Sequence, residues 1–82
     1  MRVRQAAEVQ RGVGRRIRAA RIAAALTQEQ AAAKAEIDYK RWQRLELGTV
    51  NATLRTLARV AEALDTSFWK LLGVPERDDR RT

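Results

Sequence analysis

Four polar residues, Thr27, Asp38, Thr53 and Ser67, each stand directly before a short run patterned like a helix. Their side-chain oxygens are the ones that satisfy the free amides of a first helical turn, so the chain is cut into short helices with marked starts. Thr27 opens a capping box, facing the Gln30 backbone amide while the Gln30 side chain reaches back; its helix runs from about Gln28 to Lys34. Asp38 caps a helix from Tyr39 to about Leu47, which Gly48 ends, and Ile37 is placed to staple against Trp42. After Thr53 comes the clearest stripe, Leu54, Leu57, Val60, Ala61 and Leu64, opposite Arg55, Arg59 and Glu62. Ser67 caps a short segment through Leu72 that Gly73-Val74-Pro75 closes. Ahead of these, Val13, Ile17, Ala20 and Ala24 set a first helix, Val13 to Ala25, and Gly12-Val13-Gly14 is read as a break.

The expectation is an all-α domain of five helices over residues 13–74. Residues 1–12 form an N-terminal arm or frayed helix, and 75–82 a disordered charged tail. Hydrophobic residues make up 45% of the chain and many are alanine, which lets helices approach closely. β-Branched runs that would build a sheet are absent. Both Ala24 and Leu54 are assigned to the core.

Cysteine and histidine are absent, which excludes disulfides, zinc fingers, thiol nucleophiles and histidine-based acid–base chemistry. The one serine, Ser67, has no base beside it. No enzymatic activity, cofactor or metal is expected. Seventeen Lys and Arg against ten Asp and Glu give +7, which fits a nucleic-acid partner or merely a solvated basic surface. No run approaches the length that spans a bilayer, so the expected setting is cytoplasmic, away from any membrane.

The Gln28–Lys34 and Tyr39–Leu47 segments are each about two turns long and separated by a few residues, the proportion of a helix-turn-helix. At about 100° per residue, Tyr39, Lys40, Gln43 and Arg44 share one arc, and Trp42 and Leu45 point away. Arg pairs with guanine O6 and N7 and Gln with adenine N6 and N7 through two hydrogen bonds each. Lys40 reaches guanine or phosphate, and Tyr39 donates to phosphate or packs on a thymine methyl. The arc taken alone is equally the solvated face of an amphipathic helix. Asp38 reads first as an N-cap and secondly as an acceptor for cytosine N4.

Several ordered segments then coincide. Leu26-Thr27-Gln28-Glu29-Gln30-Ala31, Leu45-Glu46 with Gly48, and Asn51-Ala52-Thr53-Leu54 with Thr56-Leu57 are similar to the signatures of the Cro/C1-type helix-turn-helix regulators (the XRE-like family). The resemblance covers Val13 to Gly73 and implies a five-helix fold of the lambda-repressor type acting on double-stranded DNA. It implies base-facing roles for Tyr39, Lys40, Gln43 and Arg44, and phosphate contacts at Gln28 and in the loop holding Thr49 and Asn51. Arg41, at the flank of the arc, is assigned to phosphate or solvent. Arg21 and Glu46 match a pair that bridges the first and third helices. Glu36 and Ala25 stand where the family prefers glycine, Ala52 where it has proline, and Trp42 where a smaller aliphatic is usual.

Family members commonly dimerise on half-sites about one helical turn apart. Trp69 lies outside the stripe of Phe68, Leu71 and Leu72, so a homodimer interface of Phe68, Trp69, Leu72 and Val74 is expected; packing on the N-terminal arm is the alternative. The functional expectation is a bacterial or phage transcriptional regulator, nucleoid-associated and acting as a homodimer on a symmetric operator. An adaptor or antitoxin of the same fold, with RNA polymerase or a toxin as partner, is the alternative.

Overall fold

The computed structural model describes residues 3–75, which form five α-helices and, among the described residues, no strand. They are α1 (Val3–Ala23), α2 (Gln28–Ala35), α3 (Tyr39–Leu47), α4 (Leu54–Ala63) and α5 (Phe68–Leu72). α1 packs on α3 and α5, α2 on α3 and α4, and α4 on α5, so one core lies between all five. Ile17, Trp42, Val60 and Leu71 are its largest fully enclosed side chains, and Ala31, Ala32 and Ala35 bring α2 close. None of the described helices is long and apolar enough to cross a membrane.

The caps form as their side-chain chemistry dictates. Thr27 Oγ1 accepts from the Gln30 amide at 3.0 Å and the Thr27 amide donates to Gln30 Oε1 at 2.9 Å, completing the capping box. Asp38 accepts from the Lys40 and Arg41 amides, Thr53 from Thr56 and Ser67 from Trp69. Gly48 and Gly73 end α3 and α5 in the left-handed region.

Three expectations are corrected. First, the break at Gly12–Gly14 does not exist, because α1 runs through both glycines. An added Cβ on Gly14 would sit 2.5 Å from the Glu46 carbonyl oxygen and 2.6 Å from that of Leu45. Gly14 therefore marks a close helix crossing, α1 on α3, rather than a turn. Secondly, Leu54 is 68% exposed. It lies in line with Leu57 and Ala61, but at the first residue of α4, ahead of the part of that stripe the core encloses. Thirdly, Ala24 is exposed, because α1 ends at Ala23 and the chain turns through Ala25 at φ +59°. The expected tail beyond Pro75 lies outside the described residues.

Candidate nucleic-acid interface

The turn between α2 and α3 begins at Glu36, which holds φ +58° and ψ +45°. A left-handed glutamate costs roughly 1 kcal/mol relative to glycine. The geometry usual for glycine is kept, and two sets of bonds hold it. The Glu36 and Ile37 amides donate to Ala33 and Ala32 carbonyls at 3.1 and 2.9 Å. From α4, Arg59 Nη2 donates to the carbonyls of Ala35 at 2.8 Å and Glu36 at 2.7 Å. Sequence reasoning placed Arg59 only on a polar face. Its two acceptors lie 24 and 23 residues away, and no local pattern encodes that contact.

α3 is fixed from its inner side by one carboxylate. Glu46 is buried, and its Oε2 accepts from Arg21 Nε at 2.5 Å and Trp42 Nε1 at 2.6 Å. Its Oε1 accepts from Gln28 Nε2 at 3.0 Å and Arg21 Nη2 at 3.2 Å. Burial alone would raise this carboxyl. The bonds from Arg21, Trp42 and Gln28, with the Arg21 charge, outweigh burial and hold it below the ordinary glutamate value of 4.5. Arg21 Nη1 also donates to the Leu26 carbonyl at 2.9 Å. The Arg21–Glu46 bridge thus links α1 and α3, and Arg21 also ties α1 to the loop before α2. Gln28 and Trp42 join it, which the sequence did not reveal. Trp42 is wholly enclosed, and the acceptor at Glu46 satisfies its indole N–H.

The outer side of α3 is free. Tyr39, Lys40, Arg41 and Arg44 are exposed and Gln43 is half-buried, so the structure brings the expected arc together on one surface. Gln43 Nε2 donates to the Tyr39 hydroxyl at 3.2 Å, pairing those two along one edge. The Asp38 carboxylate faces the first amides of α3, the N-cap arrangement. Gln28 is half-buried and its amide nitrogen is turned inward to Glu46. In the loop after Gly48, the Thr49 hydroxyl donates to the Arg44 carbonyl at 3.4 Å, and Asn51 is exposed. A shallow groove joins Arg18, Gln28, Tyr39, Gln43 and Leu47, so α1 borders the arc.

Of the residues expected at a dimer interface, Trp69 and Val74 are exposed, at 51% and 45%. Phe68 and Leu72 are half-buried against the core. The Phe68 and Trp69 rings meet edge to face, with centroids 5.3 Å apart.

Two short helices, a turn held by Arg59 and a second helix clamped inside and polar outside make up a helix-turn-helix. The helix-turn-helix domain family matches residues 13–67, about two thirds of the chain. The chain belongs to that family. Its matched region covers α2, the turn and α3 whole, and ends at the Ser67 cap of α5. No curated protein matches the chain significantly.

Proposed function

We propose that this helix-turn-helix protein is a Cro/C1-type, sequence-specific regulator of transcription that inserts α3 into the major groove of double-stranded DNA. The observation carrying the reading is the contrast between the two sides of α3. Its inner side is locked through Glu46, and its outer side presents Tyr39, Lys40, Gln43 and Arg44 to solvent. Holding the helix rigidly while exposing hydrogen-bonding tips is what base reading requires, because a bidentate contact tolerates little tilt. Lys40 and Arg44 make no side-chain hydrogen bond among the described residues, so their donors are available. Gln43 keeps its carbonyl oxygen and one N–H beyond the bond to Tyr39. Arg41, Asn51 and the second side-chain N–H of Gln28 supply phosphate contacts at the two ends of the pair. Thr49 joins them when its hydroxyl exchanges the long 3.4 Å bond to the Arg44 carbonyl for a phosphate oxygen.

A single such domain reads only a few base pairs, and the exposed Trp69 and Val74 favour a second copy of the chain on that surface. The working unit is a homodimer on a two-fold symmetric operator. Selection of bound sequences from a random duplex library tests both parts. A symmetric consensus with half-sites one helical turn apart is the expected result. No enrichment above the starting pool refutes sequence-specific binding, and a single asymmetric half-site refutes the dimer. Within the selected site, Arg44→Ala relaxes preference at one base pair, whereas Lys40→Ala with retained preference would mark Lys40 as a phosphate contact.

A further inference from the structure

α1 carries an arginine row that neither the fold nor the base-reading arc uses. Arg11, Arg15 and Arg18 follow one another at four and three residues, which places them within about 60° around the helix. All three are exposed, and the core-facing residues of this stretch, Val13 and Ile17, lie to the other side. Among the described residues the ion pairs are Arg21–Glu46 and Arg59–Glu36, so the row has no carboxylate partner there. Arg16, next to it in sequence, is consumed otherwise: its Nε donates to the Leu71 carbonyl at 2.8 Å and ties α1 to the end of α5.

The two ends of the row are what give it a direction. Arg18 borders the groove that also holds Gln28, Tyr39 and Gln43, at one end of the interface. At Arg11 the α1 backbone abuts Gly48, where an added Cβ would lie 2.6 Å from Arg11 Cα. Gly48 immediately precedes the loop of Thr49 and Asn51, at the other end of the interface. The row therefore runs alongside α3 from one assigned phosphate contact to the other. Seven residues of helix span about 10 Å, the axial length of about three nucleotides of one strand.

We propose that Arg11, Arg15 and Arg18 form a second grip on DNA, a phosphate-binding ridge along the strand that borders the groove entered by α3. The inference rests on the DNA-binding reading above. Guanidinium groups on an exposed helix face pair with phosphates without reading sequence, so the ridge raises affinity for all duplexes alike. It also extends the contact surface onto the half of α1 that precedes the matched family region, since Arg11 lies before residue 13.

The test compares the salt dependence of duplex binding for the wild type, the triple variant Arg11→Gln/Arg15→Gln/Arg18→Gln, and Lys34→Gln/Lys70→Gln. The last removes exposed charges bordering a different groove, between α1, α4 and α5. Glutamine keeps helix propensity close to arginine, and circular dichroism checks that α1 is intact. Every arginine–phosphate pairing removed makes the slope of log K against log salt shallower by about 0.9, so the triple variant should be shallower by about 2.7 and the lysine variant nearly unchanged. The base preferences of the triple variant should match those of the wild type. An unchanged slope in the triple variant, or an equal change per charge in the lysine variant, overturns the ridge while leaving the recognition helix standing. A wild type without duplex affinity overturns both.

Discussion

Removing Arg21 should unmake the clamp on α3 more severely than removing Arg21 and the Glu46 charge together. Arg21 supplies two of the four donors around the carboxylate, and the side chains of the pair are only 12% and 4% exposed. In Arg21→Met the Glu46 charge stays buried with Trp42 and Gln28 as its remaining donors, a loss of about 3 kcal/mol. A domain of this length has roughly 4–12 kcal/mol of stability, so the variant gives up a large part of it. In Glu46→Gln the amide oxygen still accepts from the buried Trp42 N–H and the freed guanidinium can reach water. About 1–2 kcal/mol is expected there. The double variant Arg21→Met/Glu46→Gln should also lose about 1–2 kcal/mol, because no charge is left buried. Glutamine is essential to the design: an apolar residue at 46 would strand the indole N–H of Trp42, which is fully enclosed. Urea denaturation followed by circular dichroism measures all four proteins. With a slope of about 1 kcal/mol per molar, the Arg21→Met midpoint falls by about 3 M. Additive single and double variants, or an Arg21→Met loss below about 1 kcal/mol, would refute the clamp as a coupled unit.

Three further outcomes follow from the same geometry. The lowered Glu46 carboxyl stabilises the fold fully above the ordinary value of 4.5, and this contribution fades as pH falls from there through the lower folded value. The stability gap between wild type and Arg21→Met should accordingly narrow as pH falls, first where the stranded Glu46 of the variant takes up its proton and then below 4.5 as the wild type loses its own contribution, as seen by urea titrations from pH 7 to 3; a constant gap contradicts the assignment. Gly14→Ala forces a methyl onto two α3 carbonyls and should cost about 2 kcal/mol, whereas Gly12→Ala meets only the flexible Arg16 and Arg15 guanidinium groups and should gain about 0.5–1 kcal/mol. Paired thermal melts distinguish these signs. Glu36→Gly relieves a left-handed backbone and should raise stability by about 0.5–1 kcal/mol; a loss would mean the weak Arg59 pairing at 3.9 Å outweighs the strain.

What was legible in the sequence is what closes within a few residues. Thr27, Asp38, Thr53 and Ser67 each bond to an amide two or three positions on, so residue type and spacing alone define the helix starts. The outward arc of α3 was legible for the same reason, since helical angle follows from spacing. Contacts that close across the fold were not. Gly14 reads as a breaker until Leu45 and Glu46 are seen across from it, and Arg16 and Arg59 read as solvated until their carbonyl partners on α5 and at the α2–α3 turn are in place. The Arg21–Glu46 bridge, 25 residues apart, came from the family resemblance and not from the pattern. Leu54 shows the converse: periodicity names the side of a helix, but only the neighbouring elements decide how far along it the core extends.

The same division between local and distant contacts separates what orients α3 from what α3 presents. Its orientation depends on Gly14 and Arg21 of α1, Gln28 of α2 and, through the turn, Arg59 of α4. No residue of the exposed arc contributes to that set, except that Gln43 bonds Tyr39 along the surface. Exchanging the arc should therefore change what is read without changing the fold. Lys40→Ser/Gln43→Ser/Arg44→Gln alters three solvent-facing positions, each worth no more than about 0.5 kcal/mol, plus one exposed hydrogen bond. The expected total is under about 3 kcal/mol, with an unchanged helical circular dichroism spectrum. On the proposed dimeric reading, library selection with this variant should return a consensus altered at the positions facing residues 40, 43 and 44, with half-site spacing retained, because the exchange leaves the proposed dimer surface alone. Unfolding of the variant would show that the arc is part of the scaffold. An unaltered consensus would show that base reading resides outside α3.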